Sequence, residues 1–268
     1  MTVGLVQMNS GENPEENRRK AHAFIDEAVS KQVQFLCFPE VYNFRKTGGR
    51  SRLLSESVCS ESIQQLASRA KQEKMWILAG SICETIPSSK KVFNTSVLLN
   101  SRGDIHALYR KMNLFRVNTG LVRVDESKHY ESGKEPVLTD VMGIKTGLSI
   151  CYDLRFPELY RQYAKNGAQI LCVPSSFTKK TGEAHWEVLL RARAIENQCF
   201  VLAPNQFGVG AGGVETYGNS LIIDPWGRVL GRGSGDTEGV ITADLSFEEL
   251  NRVRQVLPSS FLTLKSCS

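Results

Sequence analysis

The chain has 268 residues, with 33 Lys and Arg against 28 Asp and Glu, a formal charge of +5, and is 41% hydrophobic and 23% charged. Such a composition excludes a disordered chain, a collagen and a coiled coil. A charge this mild, with no basic stripe, argues against a nucleic-acid binder, and a chain this long buries roughly three-quarters of its unfolded surface without needing a disulfide or metal.

In chain order, Val3, Leu5 and Gln7-Met8 predict an opening strand of edge type. Asn13-Pro14 reads as a helix cap followed by Pro at the first helical position, and Ala21, Phe24, Ile25 and Ala28 repeat at helical spacing. Val33 to Phe38 is an apolar run of buried-strand type, stopped by Pro39. Ile63, Leu66, Ala67 and Ala70 mark a second amphipathic helix, and Trp76 to Ala79 the next strand. Val92 to Leu99 and Ile105 to Tyr109 read as a hairpin turning at Ser101-Arg102-Gly103-Asp104. Residues 112 to 135 read as a long polar loop. A strand follows at Ile144 to Ile150, then a helix from Pro157 to Gly167, a strand at Gln169 to Val173, a helix over Glu183 to Gln198 and a strand at Phe200 to Ala203. Short strands near Leu221, Val229 and Val240 precede a last helix announced by the capping box Ser246 and Glu249. Strands alternate with helices throughout, with no linker, repeat or low-complexity stretch. The pattern predicts one α/β domain over residues 1–268, built on a long sheet or two packed sheets.

The start at Met1-Thr2-Val3 has neither the basic nor the apolar region of a secretory leader, and no apolar run approaches the ~18 residues of a membrane span. None of the seven cysteines lies within four residues of another, so no metal or redox pair is expected. Free thiols in a reducing, cytoplasmic compartment are the expectation, with no cofactor and no metal. Asn94-Thr95-Ser96 matches a glycosylation sequon but carries no meaning without secretion.

Three residues stand out for chemistry. Cys151 follows a strand and precedes the Pro157 helix by a short polar turn, where a nucleophile meets free backbone N–H groups. Glu40 follows an apolar strand through Pro39, at the sheet edge where α/β sites collect. Lys111 opens the long loop and, if inward, needs an anionic partner. Each alone is also compatible with a buried thiol, a solvated acid and a surface lysine. Gly208-Val209-Gly210-Ala211-Gly212-Gly213 matches a dinucleotide fingerprint, but a strand pattern rather than a helix follows it, so a loop is expected. None of His22, His106, His129 and His185 carries a local pattern that pairs it with Cys151.

Phe38-Pro39-Glu40, Tyr109-Arg110-Lys111 and Ile150-Cys151-Tyr152-Asp153-Leu154-Arg155-Phe156-Pro157-Glu158 resemble the three ordered motifs of the nitrilase (carbon–nitrogen hydrolase) superfamily. The likeness extends to the opening strand, to the segment from His185 to Ala194 and to Asp224-Pro225-Trp226-Gly227, nearly the whole chain. The resemblance implies a four-layer α-β-β-α sandwich, paired as a homodimer or higher homo-oligomer. It also implies Cys151 as nucleophile, Glu40 as general base, Lys111 as oxyanion stabiliser and Glu126 as a second carboxylate beside them, with the Tyr152 N–H aiding the oxyanion.

Within the superfamily the chain is most similar to short amidases acting on deaminated glutathione, yielding 2-oxoglutarate and cysteinylglycine. Amidases of 2-oxoglutaramate are the nearest alternative, and a silent binding protein of the same fold is the alternative from another class. A small anionic amide calls for a basic rim, for which Arg116, Arg123, Lys179 and Lys180 are the candidates. Three departures are visible: Asn113 where relatives often carry His, the Arg116-Val117-Asn118 segment where an acid is usual, and a tail after Leu257-Pro258 without the usual basic-aromatic ending.

Overall fold

A computed structural model describes residues 1–46, 54–118, 123–210 and 213–259. The first half contains β1 (Thr2–Gln7), α1 (Pro14–Ser30), β2 (Phe35–Cys37), α2 (Glu61–Glu73), β3 (Trp76–Leu78), β4 (Ile82–Thr85), β5 (Val92–Leu99) and β6 (Ile105–Arg110). Next come β7 (Arg116–Asn118), β8 (Arg123–Asp125), β9 (Val137–Val141), β10 (Ile144–Leu148), α3 (Pro157–Lys165), β11 (Ile170–Cys172), α4 (Lys179–Asn197) and β12 (Phe200–Ala203). The chain continues through β13 (Phe207–Val209), β14 (Glu215–Tyr217), β15 (Leu221–Ile223), β16 (Val229–Arg232), β17 (Gly239–Asp244) and α5 (Phe247–Val256).

Two sheets result. One runs β17-β1-β2-β3-β5-β4, with β6 on the remaining edge of β5, and the other runs β16-β15-β12-β11-β10-β9. Each contains a parallel trio joined by helices, β1-α1-β2-α2-β3 in one and β10-α3-β11-α4-β12 in the other. Alternation along the strands sorts the core into layers. Val3, Leu5, Phe35, Cys37 and Leu78 share a core with Ile170 and Cys172 of the second sheet. Their neighbours Val6, Leu36, Phe38 and Ile77 instead pack beneath Ala21, Phe24 and Ile25 of α1 and Ile63 and Leu66 of α2. On the far side, Tyr160 and Tyr163 of α3 and Trp186, Leu190 and Ala194 of α4 close the second sheet. The architecture is an α/β sandwich of layered helix, sheet, sheet and helix.

The predicted Asn13 cap forms, its Oδ1 accepting from the Glu15 N–H at 3.0 Å. Only half of the predicted capping box does: Ser246 Oγ accepts from the Glu249 N–H at 3.2 Å, while the Glu249 carboxylate pairs with Arg252. Other expectations need correction. β1 is not an edge strand, because β17 returns from the far end of the chain and pairs with it from Thr2 to Gln7. Local sequence holds no trace of so distant a partner. α4 begins at Lys179, a full turn before Glu183. The 112–135 segment is not wholly loop, since β7 and β8 pair within it and a 3₁₀ turn spans Glu126–Lys128. The glycine-rich motif lies between two antiparallel strands, β13 and β14, and its residues 211–212 lie outside the described residues. The side chain of Arg123 and the tail beyond Ser259 lie outside the described residues.

Candidate active site

The carboxyl ends of β2, β10 and β11 converge between the sheets. Glu40 leaves β2 through Pro39, in a bend that requires close backbone approach. Gly80 at φ +52° passes so near that a Cβ there would lie 1.9 Å from the Pro39 oxygen. Val41 is itself at φ +53°, a left-handed conformation costly for a β-branched residue, and its N–H donates to Ser81 Oγ at 3.0 Å. Strain of this kind persists only where the surroundings over-determine the backbone, and here it turns the Glu40 side chain inward.

Cys151 repeats the device on the second sheet. It stands at φ +47° as β10 gives way to a 3₁₀ turn over Cys151–Arg155, and its N–H donates to the Pro174 oxygen at 3.0 Å. The turn is held from within by Asp153. One carboxylate oxygen accepts from the Ile150 N–H at 2.9 Å and from Tyr109 Oη at 2.7 Å, and the other from the N–H and Nδ2 of Asn113, both at 2.9 Å. Asn113, the departure noted in the sequence, thus ties the lysine loop to the cysteine turn. From below, the buried Arg193 of α4 donates Nε and Nη2 to the Leu154 oxygen at 3.1 and 2.8 Å. As the second residue of that turn, Tyr152 presents an N–H that needs an acceptor from outside it.

Lys111 follows β6 and is anchored by its N–H on the Asn94 oxygen at 2.8 Å. Its Nζ, 1% exposed, lies 2.9 Å from Glu40 Oε1 and 3.0 Å from Glu126 Oε2. Glu126 is clamped by Phe115, whose N–H donates to Oε2 at 2.7 Å and whose oxygen accepts from the Glu126 N–H at 2.9 Å. Glu40 also accepts from Asn94 Nδ2 and from the Ser176 N–H, both at 2.8 Å. Four sequence candidates, Glu40, Lys111, Glu126 and Cys151, are therefore brought together, and Asn94, Ser176 and Asp153 join them unannounced. Asn94 was visible only as a sequon, yet its side chain is buried on Glu40.

Charge sets the protonation states. Burial pulls the Lys111 ammonium toward its neutral form, but Glu126 and Glu40 outweigh that and raise its pKa well above the ordinary lysine value. Burial, reinforced by the Glu40 charge, raises Glu126 above the usual carboxylate range despite Lys111. The Cys151 thiol is pushed well up, first by burial and then by Glu40, with Lys111 and the Ser176 N–H opposing. Two carboxylates and one ammonium leave this cluster at about −1, and a thiolate would add a second uncompensated charge. The sulfur therefore rests as a thiol beside a carboxylate that can accept its proton. No hydrogen bond joins an imidazole to Cys151 among the described residues, although His129 lines the cavity wall.

The cavity measures about 1010 Å³. Among its lining residues, Arg45, Lys46, Lys90, Lys91, Lys128 and Arg155 are cationic against Glu40, Asp125 and Glu126. The Arg155 guanidinium lies over the rings of Phe177 at 5.2 Å and Tyr152 at 5.7 Å. Tyr152, predicted to contact substrate, borders both this cavity and an adjoining hollow of about 500 Å³. Arg116 lines the hollow alone, largely exposed and 3.2 Å from Asp125. Lys180 is exposed on α4 and lines neither space, while Lys179 pairs with Glu215 at 3.0 Å. No cluster of His, Cys, Asp or Glu suited to a metal ion occurs among the described residues.

Sandwich and site together define a hydrolase of carbon–nitrogen bonds. The carbon–nitrogen hydrolase family matches residues 2–255, and the chain belongs to it. A Dictyostelium discoideum protein named deaminated glutathione amidase is 40% identical over 96% of this chain and 91% of its own length. The mouse protein of that name is 38% identical over 96% of this chain and 81% of its own. Among solved structures, Caenorhabditis elegans NitFhit superposes with a TM-score of 0.87 at 33% identity, covering 96% of this chain and 63% of that one. Saccharomyces cerevisiae Nit3, of branch 10 of the nitrilase superfamily, gives 0.84 at 29% identity over 97% and 95% of the two chains. The protein is an amidase of the nitrilase superfamily.

Proposed function

We propose that this amidase cleaves the amide of a small 2-oxo acid, deaminated glutathione above all, through a thioester on Cys151. Glu40 takes the thiol proton as Sγ forms a bond to the amide carbon. Charge developing on the carbonyl oxygen is met by Lys111 and the Tyr152 N–H. Glu40 passes its proton to the nitrogen as the C–N bond breaks and the amine leaves. Water then adds to the thioester, giving its proton to Glu40, and the C–S bond breaks as the sulfur recovers a proton. Glu126 keeps Lys111 charged and aimed throughout.

The observation that carries the mechanism is the buried ammonium shared by Glu40 and Glu126, two carboxylates that line one cavity with Cys151. The excess of cations lining that cavity supports an anionic substrate, and the names of the relatives support the particular one. The rim charge is assigned to Lys46, Lys90 and Arg155 in preference to Lys180. The reading includes a cytoplasmic setting, supported by free thiols at Cys37, Cys59, Cys83, Cys151, Cys172 and Cys199. No helix among the described residues is long and apolar enough to cross a membrane. It also includes a homodimer or higher homo-oligomer, supported by exposed Val188, Ile195 and Trp226. The test is turnover of a panel of small amides, with Cys151→Ala as blank. Deaminated glutathione should give the highest kcat/KM. A higher value for 2-oxoglutaramate would reassign the substrate, and no turnover of any amide would favour a silent binding protein.

A further inference from the structure

Arg45 lies five residues beyond Glu40, lines the same cavity and is 4% exposed. Its Nε donates to the Ser10 oxygen at 3.0 Å and its Nη1 to Thr216 Oγ1 at 2.8 Å. Nη2 donates to the oxygens of Phe207 at 2.8 Å and Val209 at 3.2 Å and to Asn9 Oδ1. Every acceptor is neutral. A guanidinium carries five N–H donors, and these contacts engage Nε, both hydrogens of Nη2 and one of Nη1. One Nη1 hydrogen is left, and no carboxylate among the described residues pairs with the group. The other deeply buried arginine, Arg193, has its acid: Nη1 lies 2.8 Å from Glu196. Burial lowers the Arg45 pKa to about 10, which still leaves it charged at neutral pH. These neutral acceptors solvate the guanidinium but leave its charge uncompensated, a residual cost that an entering anion would relieve.

We propose that Arg45 is the receptor for a carboxylate of the substrate, and so a specificity-determining residue of this amidase. The inference rests on the reading of the cavity as an amidase site for an anionic amide. The carboxylate takes the remaining Nη1 hydrogen and supplies the missing charge. The hydroxyls of Thr178 and Thr181 line the same cavity, while that of Thr216 donates to the Gly208 oxygen. Thr216 bonds to Arg45 and bridges to Thr178, and Thr178 Oγ1 lies 2.7 Å from Thr181 Oγ1, all three residues lining the cavity. The extended contacts on Ser10, Phe207 and Val209 hold the guanidinium rigid, so little freedom is lost on binding.

Gly210 provides a test that leaves Arg45 in place. A Cβ added there would sit 3.5 Å from Arg45 Nη1, an ordinary contact. Gly210→Asp therefore supplies an internal carboxylate that competes with the ligand, and Arg45→Met removes the charge itself. The first readout is calorimetric binding of 2-oxoglutarate, a product of the proposed reaction, and of its dimethyl ester. The wild type should prefer the diacid. Gly210→Asp should weaken diacid binding roughly tenfold to hundredfold, leave the ester within about twofold and leave the melting temperature unlowered. Arg45→Met should abolish the preference for the diacid. With deaminated glutathione the loss in Gly210→Asp should fall on KM, with kcat little changed. A wild type that does not prefer the diacid, or a Gly210→Asp protein that binds it as tightly as the wild type, overturns the proposal. Diacid binding without turnover of any amide would instead sink the amidase reading and leave the anion receptor standing.

Discussion

Replacing Lys111 by Met keeps the length of the side chain and removes its charge. Lys111 Nζ is the common partner of Glu40 and Glu126, at 2.9 and 3.0 Å, and is 1% exposed. Its loss leaves two carboxylates facing one another, Glu40 buried and Glu126 largely so. Removing one partner of a buried ion pair typically costs about 3–5 kcal/mol. For a chain of this length that is a fall in Tm of roughly 6–10 °C, at about 2 °C per kcal/mol. Because the cost is repulsion and desolvation rather than lost packing, a second change should return part of it. Lys111→Met combined with Glu126→Gln leaves a single buried carboxylate, still held by Asn94 and the Ser176 N–H. The double variant should melt above the single one at pH 7.5, although neither should turn over substrate. Calorimetric melting of wild type, both single variants and the double variant at one pH decides the matter. A single variant melting within about 2 °C of wild type, or a double variant no more stable than Lys111→Met, would refute the argument that the ammonium holds these carboxylates together.

Cys151→Ala should fold, melt within a few degrees of wild type and show no turnover above background, measured as release of the amine product. Asp153→Asn sets an amide NH₂ against donors that now converge on a carboxylate, so melting should show a loss of about 2–4 kcal/mol, and kcat should fall with it as the Cys151 turn loosens. EDTA should leave the rate unchanged; loss of activity restored by a metal ion would show chemistry outside the Glu40, Lys111 and Cys151 set.

The order of strands and helices was legible because each apolar run carries its own period and its own stop, as at Asn13-Pro14 and Pro39. What local pattern could not show was partnership. β1 reads as an edge because its neighbour β17 lies at the other end of the chain. β4 and β9 escaped notice as short strands whose pairing with β5 and β10 decides their state more than composition does. In the site, the three motif residues were legible by type and by order. Their helpers were not, because Asn94, Ser176 and Asp153 act through geometry: an amide side chain, a backbone N–H and a carboxylate aimed into a turn. Arg45 was hidden for the same reason, since only burial and a list of neutral acceptors distinguish it from a loop arginine. The rim candidates failed to converge because a charge on α4 or β7 shows nothing of which way it points: Lys180 lines neither space and Arg116 only the adjoining hollow.

The direction of the Cys151 shift leads to a test of how the thiol is activated. Burial first, and then the Glu40 charge, favour the neutral thiol, and Lys111 with the Ser176 N–H only partly opposes them. At neutral pH almost no thiolate is present, so reaction with an uncharged alkylating agent must draw the proton off during attack. With Glu40 drawing off the proton in the same step as attack, the rate of alkylation by iodoacetamide should stay nearly flat between pH 7 and 9. In Glu40→Gln the base is gone, and only the equilibrium fraction of thiolate reacts. Burial still favours the thiol, though less strongly without the Glu40 charge, so that fraction grows with pH by up to about tenfold per unit. The variant should therefore react far more slowly at pH 7 and gain steeply with alkali. Mass-spectrometric rates of Cys151 labelling in both proteins separate the cases. Should Glu40→Gln label as fast as wild type and without dependence on pH, the sulfur would already be a thiolate held by Lys111, and Glu40 would have no proton to take.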